Sequence, residues 1–290
     1  MYQLGRKSVL GWRAAAVAVA CLVVAVAGIA CSSRSSTGSA HLAASHSSGT
    51  PANDLLAAVS NSTSADTVHL KLVMSIDTAT TGSQQVTGTG GVDFGKKAAS
   101  IDMQVLGMDM QVVTADNTVY LHSAVLGNDW YSINAADSGM GGAGSLFANG
   151  FVDPSQQFAL LKDAATDVTE IGTEQVNGES TTHYKATLDV AKAAAEEGAN
   201  SSQIQQLEKA GISTLPVDVW VDGAGRVARL SLAYNGKTGG EGLLAGGKLS
   251  VTVDYTDYGK PVDVQIPPAN QVKDLSESAL GSMVRGGSAQ

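Results

Sequence analysis

The chain has 290 residues, of which 43% are hydrophobic and 16% charged, enough apolar material for a packed domain and a composition that excludes wholesale disorder. Its 18 Lys and Arg stand against 27 Asp and Glu, a net charge of −9. With no cationic excess to release counterions, nucleic acid and anionic headgroup surfaces are excluded as main partners.

The first element in chain order is an export signal. Arg6, Lys7 and Arg13 precede a run, Ala14 to Ala30, that is apolar or small throughout, and no acidic residue occurs before Cys31. This is the layout of a secretory signal peptide, expected over residues 1–30. At 17 residues the run is at the lower limit of a bilayer span, so an uncleaved anchor is the alternative. Ala30 followed by Cys31 resembles the bacterial lipobox, in which the thiol receives diacylglycerol and becomes the new N-terminus. Gly28 departs from the leucine usual in that motif. On this reading Cys21 leaves with the signal, Cys31 is the lipidation site, and loss of three cations takes the net charge from −9 to −12. No disulfide is then available, although the compartment permits one.

Residues 31–52 are mostly Ser, Thr, Gly and Ala without apolar periodicity, and are expected to form a flexible tether. The folded domain is expected over residues 53–290, opening with a short helix at Asn53–Val59 and ending in a mobile tail from about residue 275. In Thr67–Asp77, "TVHLKLVMSID", Val68, Leu70, Leu72, Met74 and Ile76 alternate with polar residues, Val73 excepted, the signature of a half-buried strand. Alternation recurs in Gln85–Phe94, Ala98–Leu106, Met108–Thr114, Thr118–His122, Glu179–Leu188, Pro216–Asp222, Arg226–Tyr234 and Lys248–Tyr255. Asp116-Asn117, Asn177-Gly178 and Asp222-Gly223 supply residues that tolerate positive φ, so these strands are expected to form an antiparallel meander joined by hairpins.

Helical signals fall in two clusters. Asp153-Pro154 with Gln156 opens one helix, about Pro154–Ala165, carrying Phe158 and Leu161. Asp189 caps an alanine-rich segment ending at Gly198, and Ser202 with Gln205 opens another that carries Ile204 and Leu207 and closes at Gly211. The order of strands, helix, two strands, paired helices and three more strands predicts an α+β fold: one large antiparallel sheet with helices on one face.

Catalytic motifs fail on context. "GMGGAG", Gly139–Gly144, spells a dinucleotide fingerprint, but "NAADS" separates it from the preceding strand and Gly150 interrupts the helix that must follow. "GLLAGGKLS", Gly242–Ser250, has Leu249 where a phosphate loop needs Ser or Thr, and a strand follows. His69, His122 and His183 fall on separate strands and read as solvent-facing, no G-x-S-x-G elbow occurs, and no metal, cofactor or enzymatic role is expected. In the Trp220 strand Val217, Val219 and Val221 are expected on the apolar side and Trp220 on the outer face. The apolar face of the sheet is broad and its helices are rich in alanine. It forms either a dry core or an apolar void suited to acyl chains.

"STLPVDVWVDGAGRVARLSLAY" (Ser213–Tyr234), "HYKATLDVAKAA" and "VTVDYTDYGKPVDVQIPPANQV" resemble the actinobacterial LppX/LprG lipoprotein family, over most of Asp54–Asp274. The resemblance implies a fold akin to the LolA and LolB carriers, a strongly curved antiparallel half-barrel whose concave apolar face is covered by a few helices. It implies a lipid-anchored protein on the extracytoplasmic face of the cell membrane that binds acylated lipid or glycolipid and carries it in the envelope. A membrane transporter or envelope protein is the further partner implied. A sensor module of the same fold, without transport, is the alternative. Val68, Leu70, Leu72, Met74, Ile76, Phe158, Leu161, Ile204 and Leu207 are the candidate ligand-lining residues.

Overall fold

The computed structural model describes residues 49–78, 82–105, 107–115, 118–124, 127–134, 165–189, 192, 213–236 and 246–274. The expected signal peptide, Cys31, most of the tether, the C-terminal tail, the helix expected over 154–164 and the helical segments expected within 190–211 apart from Lys192, whose amide donates to the expected cap Asp189 Oδ1 at 3.1 Å, lie outside the described residues, as do both glycine motifs apart from Gly246–Ser250.

The first element is α1, Pro51–Thr63. Thr50 caps it by accepting the Asn53 amide at 3.4 Å, and Pro51 occupies the first turn, where a missing N–H costs nothing. The helix therefore starts two residues inside the expected tether and runs four residues beyond the expected Val59. Pro51 and Thr50 are the start signal that a reading beginning at Asn53 passes over.

The strands are β1 Thr67–Thr78, β2 Gly82–Asp93, β3 Ala98–Val105, β4 Met108–Ala115, β5 Thr118–Ser123, β6 Trp130–Asn134, β7 Ala165–Val176, β8 Glu179–Asp189, β9 Thr214–Val221, β10 Val227–Asn235, β11 Lys248–Thr256 and β12 Val272–Asp274. They form one open, curved sheet in the order β12-β6-β5-β4-β3-β2-β1-β11-β10-β9-β8-β7. All pairs are antiparallel except β12 with β6. The expected fold class, a curved antiparallel sheet with helix against it, is the one observed. β1 lies in the middle: the chain builds outward from it through β6, resumes at the opposite edge with β7, and returns to close on β1 with β11.

β7 is an edge strand and most of its side chains are exposed. Its register shifts between Thr166 and Thr169 and again between Glu170 and Gly172, with Asp167 at φ 56° and Gly172 at φ 140°. Those bulges break the alternation: Ala165 and Val168, three residues apart, pack against the core while Ile171 is exposed, which hides the strand from a period-two reading. They also correct the expected helix end at Ala165, which is instead the first residue of β7. After β11 the chain crosses the polar side of β1 and β2. The Gly259 amide donates to the Thr67 carbonyl at 2.9 Å, Thr67 Oγ1 donates to the Lys260 carbonyl at 2.7 Å, and His69 Nε2 lies 3.2 Å from the Pro261 carbonyl. This strap then delivers β12 to the edge of β6, where Lys273 pairs with Asp129.

Candidate functional site

Register alone defines the two faces of the sheet, because directly paired residues share a face. One apolar row runs Tyr184, Val219, Leu230, Val253, Leu72, Gly88, Met103 across β8, β9, β10, β11, β1, β2 and β3. The next runs Val217, Leu232, Val251, Met74, Val86, Val105, and on the other side Tyr255, Leu70, Gly90, Ile101, Val112, Leu121. All five β1 candidates lie on this face and are buried, Leu72 and Met74 completely so at 0% exposure. Phe158, Leu161, Ile204 and Leu207 lie outside the described residues.

Glycine on this face has a packing reason. A Cβ at Gly88 would stand 3.3 Å from Ile101 Cγ2 and 3.4 Å from Met103 Cγ, and one at Gly90 would overlap the Ser100 carbonyl oxygen. β2 and β3 therefore approach closely beside Leu70 and Leu72. Among the described residues the helix that meets the sheet is α1, which packs against β7 and β10. Its C-terminal turn is tied down by Ser62, whose Oγ donates to the Ala58 carbonyl at 2.7 Å and accepts the buried Val227 amide at 2.8 Å. Beside it Tyr258 donates to the Val227 carbonyl at 2.6 Å, and burial pushes its phenol up, beyond the ordinary tyrosine range.

One polar atom on the apolar face stands apart. Tyr255, across from Leu70 and 4% exposed, has a buried hydroxyl with no hydrogen-bond partner. Burial raises its pKa well above the ordinary value, so the phenol is neutral.

The opposite face carries a compact polar cluster. His183 Nδ1 lies 3.0 Å from Glu174 Oε1 and its Nε2 lies 2.8 Å from Asp218 Oδ1. Trp220 stacks on the His183 ring at 4.3 Å and donates its indole N–H to Glu174 Oε2 at 2.8 Å. That indole hydrogen bond, and then the one to His183, hold the Glu174 carboxyl below the usual carboxylate range. Arg229, over the Trp220 ring at 5.9 Å, pairs with Asp254 through two hydrogen bonds of 2.5 and 3.0 Å. Val217, Val219 and Val221 are buried on the apolar side and Trp220 lies on the outer face, as its strand predicts. His183 is a correction: it is 9% exposed, because Trp220 and two carboxylates enclose a side chain that alternation alone sends to solvent. The cluster spans β7, β8 and β9 and staples the bulged edge strand to its neighbours. Among the described residues no group of three His, Cys, Asp or Glu side chains is arranged to hold a metal ion, and no helix is long and apolar enough to cross a membrane.

No family model matches the chain. An uncharacterised 31.2 kDa protein encoded between rplA and rplJ in Streptomyces griseus is 34% identical over 124 residues, which are 41% of this chain and 37% of that protein. A Streptomyces coelicolor protein provisionally named a lipoprotein is 30% identical over 139 residues, 47% of this chain and 38% of its own length. The chain thus matches well under half the length of either relative. Among solved structures, the lipoprotein LppX of Mycobacterium tuberculosis aligns at 21% identity with a TM-score of 0.42, over 73% of this chain and 99% of that one. LprF of Mycobacterium bovis aligns at 16% identity and 0.43, over 76% and 97%. A LolA superfamily protein of Nitrosomonas europaea aligns at 10% identity and 0.29, over 77% and 97%.

Proposed function

We propose that the chain is a lipoprotein of the LppX/LprG type, anchored through acylated Cys31 at the extracytoplasmic face of the cell membrane, that holds the acyl chains of a lipid or glycolipid against the apolar face of its sheet and carries it within the envelope. The observation that supports this most is the breadth of that face. Among the described residues apolar rows continue from β8 to β5, and the helix described packs on β7 and β10. Aliphatic side chains with no charged group among them suit hydrocarbon and leave the headgroup to be held elsewhere. Among the described residues the histidine held by carboxylates lies on the other face, locked beneath Trp220.

Extraction of the protein purified from its native host, followed by mass spectrometry, tests the reading. Acylated lipid at close to one equivalent is the expected result. Absence of lipid, together with specific capture of an envelope protein, would replace the carrier by the sensor. The anchor is tested separately. Cys31→Ser is expected to abolish fatty-acid labelling and to release the protein from the membrane fraction or leave it as unprocessed precursor; unchanged labelling would remove Cys31 from the account.

A further inference from the structure

A buried hydroxyl without a partner forfeits a hydrogen bond that water would have given it, which destabilises the fold. Folded proteins retain such groups rarely, and each one asks for a cause. Tyr255 is the buried side chain in this position among the described residues. It is not at the margin of the sheet. β11 is paired on both sides, with β1 and β10, and Tyr255 shares its face with Val253 and with Leu70 across the strand. On the polar face the neighbouring Asp254 has Arg229 as partner; on the apolar face the hydroxyl has none.

The charge around it selects the chemistry of what it could meet. Among the described residues the titratable group that acts on Tyr255 is the phenol of Tyr258, and that effect raises its pKa further. One neutral phenol donates to an oxyanion but cannot by itself offset the dehydration of a buried carboxylate or phosphate. It can donate to a neutral carbonyl oxygen, and that bond is strongest in a dry, low-dielectric setting.

Resting on the reading of the apolar face as an acyl-chain site, we propose that the Tyr255 hydroxyl is the specificity contact of that site and donates a hydrogen bond to the carbonyl oxygen of an ester-linked acyl chain. The phenol stays unpaired in the empty protein and is satisfied on loading. The site therefore selects esterified chains over ether-linked chains of the same length, and neutral linkages over free fatty acid.

The test is a competition. The delipidated full chain is offered an equimolar mixture of dipalmitoylglycerol and its dihexadecyl diether, which differ only in the two carbonyl groups, and the bound lipids are quantified by mass spectrometry. Wild-type protein is expected to take the diester about three- to ten-fold over the diether, the worth of one hydrogen bond. Tyr255→Phe, which keeps the ring and its packing, is expected to take the two equally while melting at the same or a higher temperature when empty. An unchanged ratio in Tyr255→Phe would overturn the role of the hydroxyl and leave lipid binding standing. A melting temperature several degrees lower for the empty variant would show that the hydroxyl is already satisfied in the free protein, and would also overturn it. Binding of neither lipid by wild type would defeat the acyl-chain site and this contact together.

Discussion

At the scale of single residues, the sheet keeps hydrocarbon and charge on opposite faces, and the exceptions on each face carry the information. On the polar face the exception is His183, drawn out of solvent by Glu174, Asp218 and Trp220. Because the folded protein holds the Glu174 carboxyl below its ordinary value of 4.5, this group favours the fold above that value and loses its contribution as pH falls through the depressed one. Melting curves of wild type and Glu174→Gln are therefore expected to differ near pH 6 and to converge as pH falls through the depressed value and the carboxyl takes up its proton. A gap that persists undiminished into acid would assign the effect of Glu174 to shape rather than charge. On the apolar face the exception is the Tyr255 hydroxyl, and two glycines, Gly88 and Gly90, mark where β2 and β3 approach most closely. Gly90→Ala would drive a methyl group into the Ser100 carbonyl of the neighbouring strand. The β2–β3 pair would have to separate, and a loss of roughly 1–3 kcal/mol or more, read by denaturant titration, is expected.

Elements bring these residues into register, and α1 is the one whose attachment is most economical. A single hydroxyl, Ser62 Oγ, closes the helix on Ala58 and receives the Val227 amide, which is fully buried. Ser62→Ala should strand that amide and cost about 1–3 kcal/mol, with amide exchange at Val227 accelerated more than in the centre of the sheet. The start of the helix gives a second measurement. A protein beginning at Gly49 should melt like the full chain, whereas one beginning at Asn53, which lacks the Thr50 cap, should lose about 1 kcal/mol. How much of the fold was legible in the sequence follows the same division. β1, β3, β9 and β11 alternate because each turns one face to the core, so their faces, including the burial of the five β1 candidates, could be read directly, whereas β4 buries Val112, Val113, Thr114 and Ala115 in succession. β7 could not, since an edge strand with two bulges has no dry face to repeat and no period of two. β6 and β12 are short, five and three residues, and owe their place to pairing across the sheet edge rather than to their own pattern. The lone hydroxyl of Tyr255 and the glycine contacts of β2 were hidden for another reason: both are properties of neighbours brought together from distant sequence.

For the whole molecule, the central claim is that the apolar face serves a ligand and not only the core. Leu72 lies at its centre, flanked by Val253 on β11 and Gly88 on β2, and is completely buried. The most direct measurement is the pair of lipid occupancy and melting temperature for Leu72→Trp. If acyl chains lie against this face, the larger side chain takes volume that lipid would fill, so occupancy should fall sharply while the empty protein melts close to wild type. If the face is closed by protein alone, overpacking should cost roughly 1–3 kcal/mol and lower the melting temperature markedly. A strongly destabilised Leu72→Trp alongside a wild-type protein that never holds lipid would contradict the account.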